Sequence, residues 1–393
     1  MSRTAAIFDA LADARARLAA DDADIVRTQI AVTEIPAPTG DEGARAAWVA
    51  RRLRAHGVAD VRIDAAGNVV GRRPGAMRAA PVVLCAHLDT VFPRDVPVRV
   101  ERAGPRLVGP GIGDNGRGLA VMLALAAAID GRSVRTRRPI EFLATVGEEG
   151  AGDLRGAKRY FADCAPPAAV IVIDGAGDER IVHRALGSRR FRVAFAGPGG
   201  HSWIAFGVPN PVHAAAACAA RLAAVPLPDD PRATLSVTRV GGGMSVNAIP
   251  KEGWLEVDVR CADAGVLDAL TRAVDRASRY ALAEENERRA EGTPPLTMTV
   301  DVIGDRPCGE VAPDDPLVRA ARQATCLVGR VPELTVASTD ANVPIGLGVP
   351  AIAIGAGGRG GDAHTPREWF DNTNGATGVA RALTIAVAAA DLA

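Results

Sequence analysis

The sequence predicts an α/β fold: a mostly parallel sheet covered by helices on both faces, interrupted by an inserted α+β unit. Three observations carry this. Short apolar runs such as Pro81-Val82-Val83-Leu84 and Ala169-Val170-Ile171-Val172-Ile173 read as buried strands. They alternate with Ala/Leu-rich stretches of helical length, the rhythm of a sheet sandwiched between helices. From about residue 188 to 304 the rhythm becomes strand, helix, strand, strand, helix, strand, the split βαβ motif. At 393 residues the chain also exceeds a single ordinary core. The expected organisation is a first domain built from 1–187 and 305–393, with 188–304 inserted into it.

Residues 5–31 and 41–56 read as helices, the second starting near Thr39 or Asp41 and stopping at Gly57, a favourable residue just past a helix end. Strands are expected at about 60–64, 67–71 and 81–86. Gly118 to Ile129 is a helix by length and composition, Ile140 to Val146 a strand, and Ala169 to Ile173 a strand that ends at Asp174. In the insert, Arg189 to Phe195 reads as a strand. Asn210-Pro211 then opens a helix with a capping residue and proline at the first helical position. Ala233 to Arg239 and Gly253 to Arg260 follow as strands. The helix from Asp263 to about Arg288 carries Leu267, Leu270, Val274, Ala277 and Ala281 on one face. Leu296 to Ile303 closes the unit. After Pro307 come a helix at about 315–328, a strand at 350–354 and a helix from about Thr373.

Charge is balanced at 46 basic and 46 acidic residues, so no global field draws the chain to nucleic acid or a membrane surface. Lysine occurs only at 158 and 251, and the many arginines accompany abundant alanine rather than a basic face. Aromatics make up 4 %, so the core must be built from Ala, Val, Leu and Ile. The six cysteines are scattered, with no Cys-x-x-Cys pair, and read as reduced thiols. No secretory signal is visible near Asp9, Asp13, Asp21 and Asp22, and no apolar run reaches the ~20 residues that span a bilayer. A cytoplasmic protein is expected.

Chemistry gathers beyond the carboxyl ends of strands in open α/β sheets. Cys85-Ala86-His87-Leu88-Asp89-Thr90 sits there, with a carboxylate two residues after a histidine, an arrangement suited to a metal ligand and the group that fixes its ring. Gly109-Pro110-Gly111-Ile112-Gly113-Asp114-Asn115-Gly116 precedes a helix but no suitable strand runs into it, so it does not read as a dinucleotide loop. Its glycines let the backbone turn tightly and expose Asp114. Gly147-Glu148-Glu149-Gly150 ends a strand with two diverging carboxylates, one suited to a metal and one to a nearby water. Asp174 ends another strand, as a helix cap or a ligand. Gly361-Asp362-Ala363-His364-Thr365-Pro366 follows the last apolar run. His87, Asp114, Glu149, Asp174 and His364 together form a mixed N/O set that suits Zn²⁺, with Co²⁺ or Mn²⁺ as substitutes. Five such groups are too many for one tetrahedral ion and enough for two that share a carboxylate.

These motifs, in this order, resemble the di-zinc aminoacylase/glutamate-carboxypeptidase family, which includes tripeptide aminopeptidase, acetylornithine deacetylase and succinyl-diaminopimelate desuccinylase. The resemblance implies two Zn²⁺ per subunit, with His87 and Asp174 on one ion, Glu149 and His364 on the other, and Asp114 bridging. It implies Glu148 as general base and Asp89 as the group orienting His87. The cysteine that replaces the bridging acid in one branch of the family is absent, since Asp114 holds that place. In the insert, His201 of Gly199-Gly200-His201-Ser202 resembles a lid histidine that serves a neighbouring active site across a dimer interface. Asn247 resembles a substrate-contacting asparagine, and Arg260 an arginine that forks onto a substrate carboxylate; a surface ion pair is the alternative for Arg260. The implied activity is amide hydrolysis in a short peptide or an N-acyl or N-carbamoyl amino acid, by a homodimer joined through the insert.

Overall fold

A computed structural model describes residues 2–393. The chain divides into two compact units: the chain up to Ala185 together with Glu310–Ala393, and Leu186–Gly309. At the centre of the first unit four strands run parallel, in the spatial order Ile140–Thr145, Val82–His87, Ala169–Ile173 and Ala351–Ile354. Val69–Arg73 and then Ala59–Ile63 extend one side antiparallel. On the other side Arg180–Ala185 pairs antiparallel with Ala351–Ile354, and Glu333–Ala337 lies parallel to Arg180–Ala185.

Every residue of Val82–His87, Ala169–Ile173 and Ala351–Ile354 is buried. Successive side chains alternate faces, so both faces of the sheet are covered, which is why these runs are apolar apart from the terminal His87. Helices Gly43–Ala55, Gly116–Ala128 and Gly375–Ala390 contribute to the same core, mostly through Ala, Val and Leu. Because the central strands are parallel, the segments after His87, Thr145, Ile173 and Ile354 all leave at one edge of the sheet.

The N-terminal region departs from the expected single helix. It forms three, Arg3–Ala10, Ala12–Ala20 and Asp22–Thr33, with turns at Leu11 and Asp21. The acidic first turn of the third, with Asp22 and Asp24, favours a start there. The buried positions Ile7, Leu11, Ala14, Leu18, Ile25 and Val32 keep one register through both breaks, which is why the periodicity conceals them. The next helix begins at Gly43 rather than at Thr39 or Asp41. Thr39 instead donates its hydroxyl to Asp89, and Pro38 bridges to Thr90, so this segment is tied to the strand end. Also outside the sequence expectation are the helix Arg155–Asp163, the strands Arg180–Ala185 and Glu333–Ala337, and a small sheet of Arg359–Gly361, Trp369–Asp371, Arg106–Val108 and Glu101–Ala103.

The second unit is an antiparallel sheet in the order Ala233–Gly242, Glu252–Cys261, Gly187–Ala196, Thr297–Arg306. Helices Pro211–Ala223 and Ala264–Glu287 share its separate core, with Val193, Phe195, Leu255, Val257 and Val259 from the strands. Asn210 and Asp263 cap these helices through Val212 and Val266 N–H. Residues alternate along Glu252–Cys261, leaving Trp254, Glu256, Asp258 and Arg260 on the other face. Among the described residues all six cysteines are free thiols, and no helix is long and apolar enough to cross a membrane.

Candidate active site

His87 ends the strand Val82–His87 and is almost fully buried. Its Nε2 lies 2.9 Å from Asp114 Oδ1 and 3.9 Å from Asp174 Oδ1. Asp114 turns its other oxygen the opposite way, with Oδ2 3.2 Å from His364 Nε2. The same His364 nitrogen is 3.2 Å from Glu149 Oε1. Ligand atoms of His87, Asp114 and Glu149 all lie within 4.8 Å of one another. One carboxylate thus faces two imidazoles far apart in sequence, one ending a strand and the other in the turn after Arg359–Gly361. The His364 side chain is 54 % exposed, so the cluster opens to solvent on that side.

The glycine-rich loop that carries Asp114 is anchored at both ends. Asn115, after a cis Asp114–Asn115 peptide, accepts the Gly118 N–H at 3.1 Å and donates to the Ile173 carbonyl at 2.9 Å. A Cβ at Gly118 would lie 2.4 Å from that carbonyl, so only glycine lets the helix start sit this close to the strand. Upstream, Glu368 accepts the N–H groups of Gly111, Gly113 and Asp114.

Asp89 was expected to orient His87. Its backbone carbonyl lies 3.1 Å from His87 Nδ1, and its carboxylate 3.5 Å from the same atom. The carboxylate oxygens meet the next loop: Oδ1 accepts the Glu148 N–H and Oδ2 the Glu149 N–H, each at 3.0 Å, and Oδ2 also accepts Thr39 Oγ1. Glu148 and Glu149 are both buried. Glu42 accepts the Gly147 N–H and pairs with Arg155, holding the same turn from behind.

Electrostatics follow from crowding acids around two histidines. Burial would lower the His87 pKa, but hydrogen bonds to Asp114 and Asp89 carry it well above the ordinary value. The hydrogen bond to Asp114 leads in lifting His364 to about 9. Asp114 is held well below the usual carboxylate range, its burial overcome by both imidazoles. Burial, then the Asp114 charge, pushes Glu149 up to about 7 and also raises Asp174.

Several groups at the site carry no signal in the sequence. Asp340, buried beside the central strands, accepts Thr145 Oγ1 at 2.5 Å, has no partner for Oδ1, and is pushed by burial up to about 6. Glu368 follows His364 by four residues, and only that proximity points to it.

The remaining expected residues lie in the second unit. His201 and Asn247 come together there: Gly200-His201 pairs with Ala248-Ile249, and Asn247 O accepts the Ser202 N–H. His201 Nδ1 accepts the Trp203 N–H, and both His201 and Asn247 are exposed. Arg260 donates Nε to Asp258 at 2.7 Å, within an ion-pair face that includes Arg190–Asp258 and Arg192–Glu256.

The model of peptidase family M20/M25/M40 matches residues 83–388. The chain belongs to this family. Being an M20 peptidase, it is a metal-dependent hydrolase of C–N bonds with peptide-type substrates. A probable carboxypeptidase of Aspergillus clavatus is 29 % identical over 305 residues, covering 70 % of this chain and 67 % of the relative. Among solved structures, an aminopeptidase PepT from Bacillus cereus superposes with a TM-score of 0.74 at 21 % identity, covering 93 % of this chain and 98 % of the other. A tripeptidase from Staphylococcus aureus superposes at 0.76 with 20 % identity and the same coverage. These likenesses place the M20 fold over nearly the whole chain. The residues fit the family's metal dependence: two imidazoles and several acids converge with a shared carboxylate between them, an N/O donor set that a divalent cation would neutralise.

Proposed function

We propose that this protein cleaves amide bonds in short peptides, with two zinc ions per subunit and Glu148 as general base. The observation that carries the reading is the Asp114 carboxylate, aimed with one oxygen at His87 and the other at His364. A carboxylate so placed would serve two ions rather than one. His87 and Asp174 would hold the first, Glu149 and His364 the second. Bound divalent ions supply polarisation of the scissile carbonyl and acidification of water.

The protein's own groups do the rest. Glu148 sits beside ligand Glu149 on the turn that Asp89 fixes, and it takes the proton of the attacking water and returns it to the leaving amine. His201 stabilises the developing oxyanion in the neighbouring subunit of a homodimer, Asn247 contacts substrate, and Arg260 would have to exchange Asp258 for a substrate carboxylate. The relatives' names supply both carboxypeptidase and aminopeptidase precedents.

Glu148→Gln keeps both ions and loses roughly 10²–10⁴ in kcat if Glu148 is the base; metal content by mass spectrometry with steady-state assays reads this, and full activity sinks the assignment. Peptides blocked at the amine or at the carboxylate separate the substrate classes. Cleavage that tolerates N-acylation and needs the carboxylate supports a carboxypeptidase or deacylase using Arg260, and a need for the free amine supports an aminopeptidase. Mixing His201→Ala with Glu148→Gln chains restores activity if His201 acts in the partner's site.

A further inference from the structure

Three buried carboxylates of the first unit gather backbone N–H groups of the loops that bear the candidate ligands. Asp89 takes those of Glu148 and Glu149, Glu42 that of Gly147, and Glu368 those of Gly111, Gly113 and Asp114. We propose that Glu368 is the positioning residue for the bridging carboxylate, locking the Asp114 loop to the His364 loop so that the two metal positions keep a fixed separation. The inference rests on the two-metal reading above.

Glu368 spends both oxygens on this loop. Oε2 accepts Gly111 N–H at 3.1 Å, and Oε1 accepts Gly113 N–H at 2.7 Å and Asp114 N–H at 2.8 Å. Its own carbonyl accepts the Gly109 N–H at 2.9 Å. Among the described residues no Lys, Arg or His pairs with it, and it is only 2 % exposed. A carboxylate left in such surroundings without a cation is costly unless its acceptors are used, and here they are used on the peptide that carries Asp114. The other end of the clamp is the His364 loop. Glu368 N–H donates to Thr365 O, Thr365 N–H and Oγ1 donate to Asp362 O, and Asp362 and His364 both take left-handed backbone angles, φ 56° and 65°. The bridging Asp114 and the ligand His364 are thereby indexed to each other through Glu368.

The chemistry demands an acid. All three partners are donors, and an ionised carboxyl is acceptor-only, whereas a glutamine side chain can accept at its oxygen but turns an amide donor toward Gly111 N–H. The loop supplies an independent probe: a Cβ at Gly113 would lie 3.2 Å from Glu368 Oε1 and meets no other heavy atom within 4 Å, and its backbone is not left-handed. Gly113→Ala therefore crowds the clamp while leaving Glu368 in place.

The test uses full-length wild type, Glu368→Gln and Gly113→Ala. Metal-free protein is titrated with Co²⁺ against a competing chelator, following visible absorption for each bound ion. Thermal unfolding of the metal-free forms and kcat and KM at saturating metal are measured alongside. The expected result is that both variants weaken one of two Co²⁺ sites by about 10–100-fold, the usual effect of removing an outer partner of a ligand. Metal-free Tm stays near wild type, and at saturating metal kcat falls more than KM changes. Wild-type affinity for both ions with unchanged kcat in Glu368→Gln overturns the proposal. So does a weakening that comes only with a matching collapse of metal-free Tm, which marks a general packing role. If Glu368→Gln does not fold, Gly113→Ala decides alone. A wild-type protein that binds a single ion overturns the two-metal reading itself, and the wild-type titration identifies that failure separately.

Discussion

Asp89 is buried and Asp114 partly buried, both beside His87, yet their carboxylates do different things, and their substitutions separate the two. Asp114→Asn puts an amide nitrogen toward one imidazole, so it should bind fewer ions per chain than wild type, read as metal stoichiometry after dialysis; two ions retained would contradict a bridging role. Asp89→Asn turns one acceptor of the Glu148–Glu149 turn into a donor. It should weaken metal binding by about 10–100-fold while leaving the number of sites unchanged. Four of the five candidate ligands carry a local cue, an apolar run ending at His87 or Asp174 and glycines bracketing Asp114 and the Glu148–Glu149 pair, while His364 is marked only by following the last apolar run. Of the acids that work on peptide N–H groups, Asp89 is marked by its place two residues after His87, whereas Glu42 and Glu368 leave no such cue. A carboxylate accepting from a loop 254 residues away in sequence, as Glu368 does for Asp114, has no spacing to betray it.

Helix Gly116–Ala128 shows how an element delivers a side chain to the site. Its first turn rests against the Ile173 carbonyl, with Asn115 bonded to both helix and strand. Gly118→Ala places a methyl 2.4 Å from that carbonyl, and the helix must back away. A loss of about 1–3 kcal/mol in urea unfolding is expected, together with weakened metal binding because Asp114 moves with the helix start; unchanged stability would mean the contact is not tight. Elements buried on both sides, such as Val82–His87 and Ala169–Ile173, were legible because each is an unbroken apolar run up to the His87 or Asp174 at its end. Arg180–Ala185 and Glu333–Ala337 were not: arginine and histidine interrupt the first, which is nonetheless mostly buried, and the second is short, contains glutamate and threonine, and stays partly exposed beside it. The breaks at Leu11 and Asp21 escaped for the opposite reason: the apolar period runs through them unbroken.

Across the whole molecule, the acids and histidines of the site link stability to pH. Burial holds Glu149 and Glu368 at about 7, and hydrogen bonding to Asp114 lifts His364 to about 9, all above the unfolded values near 4.3 and 6.5. A group raised in this way contributes stability that is complete below its unfolded pKa and is lost as pH rises through its folded one. Chelator-treated protein should therefore lose thermal stability from about pH 4.3 to 9, the glutamates contributing the loss up to about pH 7 and His364 the loss between about 6.5 and 9. Protein with metal bound, whose ligands are already deprotonated, should lose less. A Tm of the metal-free form that stays level or rises over this range contradicts the electrostatic picture. The placement of Ala351–Ile354 between Ala169–Ile173 and Arg180–Ala185 has a further effect on the order of events during synthesis. Leu186–Gly309 is contiguous and has its own core, so it can close while the ribosome is still extending the chain. The first unit begins earlier and finishes later. Until the segment after Pro350 emerges, its central strands lack a neighbour, their edge is open to wrong partners, and neither His364 nor Glu368 exists to complete the site.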